Sequence, residues 1–256
     1  MLTTITAELF ILTLPSLLSG SGHWSYTRPE TGAKNWPLLF PDACAGYRQS
    51  PINLDSWNAL YLDEGEQVEL RIKRNAEIQA PEKLQALNNG HSLMIMVPED
   101  LWEVSLSRDA EVTHKVAQLH FHWGRESAFG SEHSIDRKFF PLEMHIVTHS
   151  VAYPDLHSAM VSPDGLAVIG VLFELTSDRS MSHLSRFGNF LDQIWDIHQA
   201  GSVTEIDYFE PDILLPENAK HYFRYDGSLT TPPCTENVKW TVLRKRNFVT
   251  EEDVCL

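Results

Sequence analysis

The chain has 256 residues and a formal net charge of −15, with 35 acidic and 20 basic side chains. Hydrophobic residues make up 43% and charged residues 21%, a balance typical of soluble globular proteins that excludes disorder, collagen-like repeats and coiled coil. The acidic surface argues against nucleic-acid partners because it repels phosphate backbones, and the length suits one sizeable domain.

The first 22 residues are typical of a secretory signal peptide. A mostly apolar stretch covers 7–18 and small residues follow at 19–22. The stretch is too short to span a bilayer, and Glu8 and Pro15 interrupt it. No Lys or Arg precedes it, so a buried N-terminal helix or an incorrect start codon stays an alternative. We expect a signal peptide at 1–22, one domain at 23–256 and no transmembrane segment, since no later apolar run is long enough.

Beyond residue 22 the pattern predicts mainly strands. Apolar and polar residues alternate over 92–97, 116–123 and 142–147, and 166–175 is a longer apolar run typical of a buried strand. Apolar residues recur at helical spacing over 180–198, which predicts a helix. Proline and glycine punctuate the chain as they do in loops between strands. The sequence therefore predicts a β-rich single domain with a few short helices.

Three cysteines bear on the compartment. Cys44 and Cys234 lie far apart in the sequence, and Cys255 is next to the terminus. In a secreted chain a suitably placed pair oxidises and one thiol is left over. Spacing alone does not choose the pair.

Two histidines share one face of the predicted strand at 116–123. Alternation places Gln118, His120 and His122 on one face and the apolar residues at 119, 121 and 123 on the other. Imidazoles at i and i+2 lie roughly 7 Å apart at Cα, so their rings can converge on one ion. H-x-H on a strand is a weak motif alone, because surface or core histidines also produce it.

The next predicted strand offers a third imidazole. Glu143, His145 and Val147 share a face, and three nitrogen ligands with an open fourth position form the catalytic arrangement of zinc. Gln118 and Glu143 each precede a candidate ligand by two residues and could accept its other ring N–H. Spacing alone does not connect His145 with the histidines of the first strand.

Seven segments match one enzyme family in order. They are 23–26 (HWSY), 49–53 (QSPIN), 88–91 (NNGH), 118–124 (QLHFHWG), 130–133 (GSEH), 143–145 (EMH) and 225–233 (YDGSLTTPP). From residue 23 to about residue 247 the chain resembles an α-class carbonic anhydrase of the secreted type. The resemblance implies an α+β domain built on a large, mostly antiparallel twisted β-sheet with short peripheral helices. It implies Zn²⁺ as cofactor and reversible hydration of carbon dioxide to bicarbonate and a proton.

The resemblance also assigns the metal site. His120, His122 and His145 match the zinc ligands of the family. Thr230 matches the residue that accepts a hydrogen bond from the attacking nucleophile and donates one to a carboxylate, and Glu132 matches that carboxylate. Without the zinc histidines, ordinary loop chemistry would explain these last two residues.

Proton export is assigned in the same way. His91 resembles the proton-shuttle position, a role suited to a group that titrates near neutrality. Tyr26, Asn89 and Thr231 match polar residues that hold the water chain between metal and shuttle. Met94 stands where relatives usually carry Asn or Gln. A thioether is a poor hydrogen-bond partner, so we expect a less ordered water chain.

The implied substrate pocket has an apolar wall, because carbon dioxide is uncharged and bonds weakly to polar groups. It comprises Val147, Val168, Leu229, Thr231, Val238 and Trp240, for which core packing is the alternative explanation. Cys44 and Cys234 match two positions that secreted and membrane-anchored relatives join by a disulfide. The resemblance therefore agrees with the predicted signal peptide.

Two other functions compete with catalysis. One is a catalytically weak or silent relative that acts as a binding protein, although such relatives have typically lost zinc histidines and all three are present here. The other is a mineral-associated acidic protein, although the acidic residues are dispersed rather than in blocks.

The last expectation concerns the C-terminus. Relatives continue for a few dozen residues beyond the position of Leu256 and thread that segment back through the sheet. From this we expect the chain as written to be a fragment or alternative product with poor stability and weak catalysis. An incomplete gene model is the alternative.

Overall fold

The computed structural model describes residues 23–62, 68, 70–107, 109, 111–217 and 219–254. The predicted signal peptide at 1–22 and Cys255 lie outside the described residues. Within those ranges no helix is long and apolar enough to cross a membrane.

The described residues form thirteen strands and five short α-helices. The strands are β1 (Asn53–Leu54), β2 (Arg71–Arg74), β3 (Lys83–Asn88), β4 (Leu93–Met96), β5 (Trp102–Ser105), β6 (His114–Trp123), β7 (Ser134–Ile135), β8 (Leu142–Ser150), β9 (Leu166–Leu175), β10 (Val203–Asp207), β11 (Tyr222–Gly227), β12 (Val238–Leu243) and β13 (Asn247–Val249). The helices are α1 (Trp36–Leu39), α2 (Pro41–Cys44), α3 (Leu156–Met160), α4 (Phe190–Ile194) and α5 (Glu251–Val254). Short 3₁₀ turns lie at Ala33–Asn35, Arg179–Met181, Leu184–Phe187 and Pro211–Leu214.

Eleven of the strands form one mixed, twisted sheet. Its main order is β10-β3-β4-β6-β8-β9-β12-β11, while β13 pairs with β9 and β5 joins β2 to β6. Only β12 and β13 run parallel to their neighbour β9 among the described pairs of this sheet. The predicted β-rich domain with a large, mostly antiparallel sheet and short peripheral helices is confirmed.

The predicted strands are confirmed at the centre of this sheet. The run predicted at 166–175 is β9, and the alternating segments correspond to β4, β6 and β8. Both β8 and β9 are buried along almost their whole length. An apolar run suits such strands because side chains on both faces of the sheet are covered.

The helix predicted over 180–198 is wrong as one element. The chain makes 3₁₀ turns up to Phe187, reverses at Gly188 with φ +66°, and resumes only as α4. A positive φ cannot continue a right-handed helix, and glycine adopts it at little cost. Leu184, Phe187 and Phe190 are nevertheless buried, so the apolar spacing predicted the packing but not its continuity.

The central sheet has two faces with different roles. One face carries His120, His122 and His145 and is called the histidine face, and the other is called the opposite face. In β6 the register shifts between Val116 and Gln118, so one extra residue bulges from the strand. The bulge puts Val116 into the core cluster of the opposite face, although Gln118 faces the histidines.

A disulfide ties the N-terminal region to the segment before β12. Cys44 and Cys234 are bonded across 190 residues, and both are buried beside Trp36. The pairing implied by the family resemblance is confirmed.

Candidate active site

Three imidazoles converge on the histidine face. β6 and β8 pair so that His120 lies opposite His145, and His122 lies opposite Glu143. The ring centroids of His120, His122 and His145 are 4.6–5.1 Å apart. Each ring offers one nitrogen, and these atoms all lie within 4.8 Å of one another. Strand register therefore supplies the connection that spacing alone did not give.

Two neighbours determine which ring nitrogen points inward. Gln118 Oε1 is 3.0 Å from His120 Nδ1, and Glu143 Oε1 is 2.7 Å from His145 Nε2. The remaining nitrogens, His120 Nε2 and His145 Nδ1, face each other at 3.2 Å. Gln118 and Glu143 thus each lie within hydrogen-bond distance of a ring nitrogen that faces away from the cluster.

Glu143 is the most heavily bonded group of the site. Its Oε2 accepts hydrogen bonds from the backbone N–H groups of Glu132 and His133, at 2.9 and 2.8 Å. Its Oε1 is 2.6 Å from His133 Nδ1. Complete burial would raise the pKa of Glu143, but His133 and His145 hold that pKa well below its usual range.

The sequence analysis gave no role to His133, Tyr225 or Ser50, which continue this network. His133 is fully buried, and its Nε2 lies 2.6 Å from the Tyr225 hydroxyl oxygen. Tyr225 donates to Ser50 Oγ at 2.8 Å, and Ser50 Oγ also accepts from the backbone N–H of Ser228. The signal available in the sequence was the presence of all three residues in the matched segments.

Glu132 and Thr230 meet beside the histidines. Glu132 Oε1 is 3.4 Å from His122 Nδ1, and its Oε2 is 3.8 Å from His145 Nδ1. Burial and the charge of Glu143 raise the pKa of Glu132 to about 8, and a hydrogen bond with Thr230 opposes this rise. The predicted pair is therefore brought together at the cluster.

His91 lies on an exposed turn away from the cluster. Its ring stacks on Trp24 with centroids 3.7 Å apart, and the Tyr26 ring lies edge-on at 6.2 Å. Partial burial and the charge of His23 lower the pKa of His91. Asn89 Oδ1 accepts from the backbone N–H of His91, so this side chain also shapes the turn.

Met94 borders the cluster from the neighbouring strand. It lies opposite His120 in the pairing of β4 with β6 and is half-buried. Its thioether thus lies close to a candidate metal ligand, where it offers only a weak acceptor to ordered water.

The predicted pocket residues meet on the histidine face. Val147 and Val168 are cross-strand partners, as are Val168 and Trp240. The Trp240 ring lies 4.8 Å from the His145 ring. One apolar cluster includes Val147, Val168, Val238 and Trp240, with Leu229 packed against it, and Thr231 is half-buried. The wall is therefore contiguous and adjoins the histidines.

The chemistry of the cluster fits a divalent metal. Burial lowers the pKa of His120 to about 3 and lowers those of His122 and His145, so all three rings are neutral at pH 7. His122 Nε2 is buried and has no hydrogen-bond partner among the described residues. Neutral imidazoles with free lone pairs are the ligands that zinc requires.

Comparisons with known proteins agree with this geometry. A family profile described as eukaryotic-type carbonic anhydrase matches residues 31–255. The chain belongs to that family. Carbonic anhydrase 7 of Homo sapiens is 35% identical over 240 residues, which cover 93% of this chain and 85% of that protein. Carbonic anhydrase 6 of Canis lupus familiaris is 36% identical over 243 residues, covering 93% and 72%.

Carbonic anhydrases are zinc-dependent enzymes that hydrate carbon dioxide, and family membership supports that activity in general. The carbonic anhydrase signature of this chain lies on β6, β8 and the 130–133 loop, where the histidines and Glu143 meet. The sequence resemblance and the fold therefore lead to the same family.

The network below the site generates the first prediction. Tyr225→Phe removes the hydroxyl that lies between His133 and Ser50, leaving a buried imidazole nitrogen unpaired. Such a group costs about 1–3 kcal/mol, so the free energy of unfolding should fall by that amount in urea denaturation. Tyr153→Phe, which removes a hydroxyl bonded to the Pro163 carbonyl near the surface, is the control and should change stability less. Equal losses in both variants would contradict a structural role for the network.

Proposed function

We propose that this chain catalyses the reversible hydration of carbon dioxide to bicarbonate and a proton, with one zinc ion held by His120, His122 and His145. The observation that carries the proposal is the convergence of three neutral imidazoles, two of which, His120 and His145, have their inward nitrogens selected by Gln118 and Glu143. A relative that retains only a binding role would have no need to keep this donor set. The silent binding protein is therefore the less favoured alternative.

The protein residues prepare this site before any ligand arrives. A bound zinc ion lowers the pKa of water to about 7 and so provides a nucleophile at neutral pH, a behaviour for which carbonic anhydrase is the standard example. Gln118 and Glu143 hold the rings of His120 and His145 in one tautomer and orientation. Hydrogen bonds, rather than the ion, thereby fix the orientation of these two rings.

Glu132 and Thr230 orient the attack. Burial raises the pKa of Glu132, and a dication held by the histidines would counteract this rise and favour the ionised carboxylate. Ionised Glu132 accepts a hydrogen bond from the Thr230 hydroxyl, so the Thr230 oxygen presents its lone pairs toward the nucleophile. This selects the nucleophile's orientation toward the apolar wall.

Carbon dioxide binds against the wall formed by Val147, Val168, Leu229, Val238 and Trp240. An uncharged, weakly polar substrate gains little from hydrogen bonds, so apolar side chains next to the histidines suit it. Thr231 provides a polar border. Charged bicarbonate is poorly accommodated by the same wall, which favours its departure.

Proton export passes through His91, Tyr26, Asn89 and ordered water. His91 is exposed, and its lowered pKa lets it release a proton to solvent readily. Met94, which lies opposite His120, interrupts the polar lining between His120 and His91. We infer that proton transfer to His91 therefore limits turnover.

The metal ligands provide the second prediction. His120→Ala, His122→Ala and His145→Ala should each weaken zinc binding by more than the roughly 10–100-fold typical of losing a partner that orients a ligand. Carbon dioxide hydration should fall with the zinc content measured by mass spectrometry. His157→Ala, at an exposed histidine of α3, is the matched control and should retain both. Full activity of metal-free protein would contradict the zinc mechanism.

The shuttle provides the third prediction. His91→Ala should slow carbon dioxide hydration about tenfold or more in weak buffer, because it removes the group that passes protons to solvent. Added imidazole should restore part of the rate. His198→Ala, at a nearby exposed histidine, should behave as wild type. If His91→Ala also matches wild type in weak buffer, His91 does not act as the shuttle.

We also propose that the protein is secreted, with cleavage of the predicted signal peptide near Ser19–Gly22. The Cys44–Cys234 disulfide supports this location because such bonds persist in oxidising compartments. As the fourth prediction, protein from a secreting host should have an intact mass that lacks a leader ending near residues 19–22. Cys44 and Cys234 should be alkylated only after reduction. Retention of Met1 in the exported protein would contradict cleavage.

A further inference from the structure

The opposite face of the sheet carries an arginine without a counter-charge in contact. Arg224 Nη2 is buried and has no hydrogen-bond partner among the described residues. The contacts of the guanidinium with the described residues are to neutral groups: Nε donates to Thr241 Oγ1 at 3.4 Å, and the Tyr222 ring centroid is 5.6 Å from its central carbon. Within the described part of the chain no carboxylate forms an ion pair with it.

Strand register places a second cation, Lys239, on the same face as Arg224. Arg224 pairs with Thr241, and Lys239 lies two residues earlier on β12, so both cations project from the opposite face. His114 projects from that face too, because the bulge in β6 shifts its alternation. Arg224 and Lys239 both lower the pKa of His114, and burial is the larger cause of that decrease.

Little negative charge offsets this cluster. Asp226 is the cross-strand partner of Lys239, and its charge raises the pKa of Arg224, which burial lowers. However, Asp226 is exposed and forms no ion pair with either cation among the described contacts. A chain with a net charge of −15 thus holds Arg224 and Lys239 on this face without an ion pair to either of them among the described residues.

A desolvated guanidinium without a partner is costly, and buried charges in proteins are normally paired. Arginine matches oxyanions especially well because its parallel N–H groups can bond two oxygens at once. Arg224, Lys239 and His114 are all only half-buried, so a small ion can reach them from solvent. The buried Thr241 hydroxyl accepts from Arg224 Nε and holds the guanidinium in place.

We propose that Arg224, held by Thr241, forms with Lys239 a binding site for a small oxyanion on the opposite face of the sheet. The half-buried guanidinium of Arg224 binds the ion, and Lys239 adds charge. The site is separate from the histidine face, because neighbouring Trp240 and Tyr225 point to the other side and pack there. Phosphate and bicarbonate share the required chemistry and are two sources to be distinguished.

The fifth prediction tests this site in the zinc-loaded, disulfide-bonded full chain. Titration with inorganic phosphate at constant ionic strength, followed by calorimetry and by melting temperature, should show one saturable site. Arg224→Gln should weaken phosphate binding at least tenfold and abolish the rise in melting temperature. Arg244→Gln, which removes the same charge from an exposed arginine after β12, is the matched control and should bind as wild type. A parallel titration with bicarbonate shows which oxyanion binds more tightly.

Two further variants keep the test decisive. Lys239→Gln retains Arg224 and should weaken phosphate binding about threefold or more. It therefore tests the site even if Arg224→Gln fails to fold. His122→Ala, whose metal site is disabled, should keep the phosphate response. Loss of the response in His122→Ala would place the anion at the histidines and overturn the proposal. So would the absence of saturable binding by both anions, or equal binding by Arg224→Gln and Arg244→Gln.

Discussion

The buried carboxylate of Glu143 is the group on which the site depends. An ionised carboxylate at 0% exposure costs several kcal/mol to desolvate unless hydrogen bonds compensate for the lost water. Two backbone N–H groups and two imidazoles supply that compensation. They connect β8 with the 131–133 loop, and they leave Nδ1 of His145 as its inward atom. Glu143 thus affects both the stability of the interior and the choice of the His145 nitrogen that faces the cluster.

Along each strand of the central sheet, successive side chains face opposite sides, so the polar site and the apolar core lie on different faces. On β8, Glu143, His145 and Val147 face the histidine site, while Met144 and Ile146 are fully buried in the core on the other side. β6 follows the same alternation beyond its bulge. Because both strands lie in the middle of an eleven-stranded sheet, their backbones are hydrogen-bonded on both edges and hold the rings in place. Rigid neighbours of this kind suit a site that must be formed before its ligand binds.

Much of this arrangement could be predicted from the sequence where short-range patterns decide it. The run at 166–175 gave β9, and alternation gave the shared face of Gln118, His120 and His122. The break at Gly188 was missed because apolar spacing persists through it while the backbone reverses. The family resemblance, rather than spacing, joined His145 to the other ligands, since strand pairing is a long-range property.

Other features lay beyond sequence patterns altogether. His133 acquires its place only when its loop docks on Glu143, and Arg224 becomes unusual only because folding buries its Nη2 without a partner among the described residues. Neither property is visible from neighbouring residues. Trp123 shows the opposite limit: alternation placed it on the apolar face with Phe121, yet it is 43% exposed while Phe121 is 3% exposed. Alternation predicts the side of a sheet, whereas tertiary packing decides whether that side is covered.

The single extra residue in β6 has a consequence for how this strand can change. Ala117 separates two halves of β6 in which the even-numbered residues face opposite sides of the sheet. Its carbonyl accepts a hydrogen bond from the backbone N–H of Val97 at 3.1 Å. Deleting Ala117 would make the alternation of β6 regular and leave Val116 and His114 on the opposite face, because Val116 and Gln118 already pair with the consecutive residues Thr148 and Val147. Pairing Ala117 into a regular ladder at the present length would instead turn Val116 and His114 toward the histidine face. The bulge thus lets a strand of this length keep Val116 in the core while Gln118 lies beside the histidines.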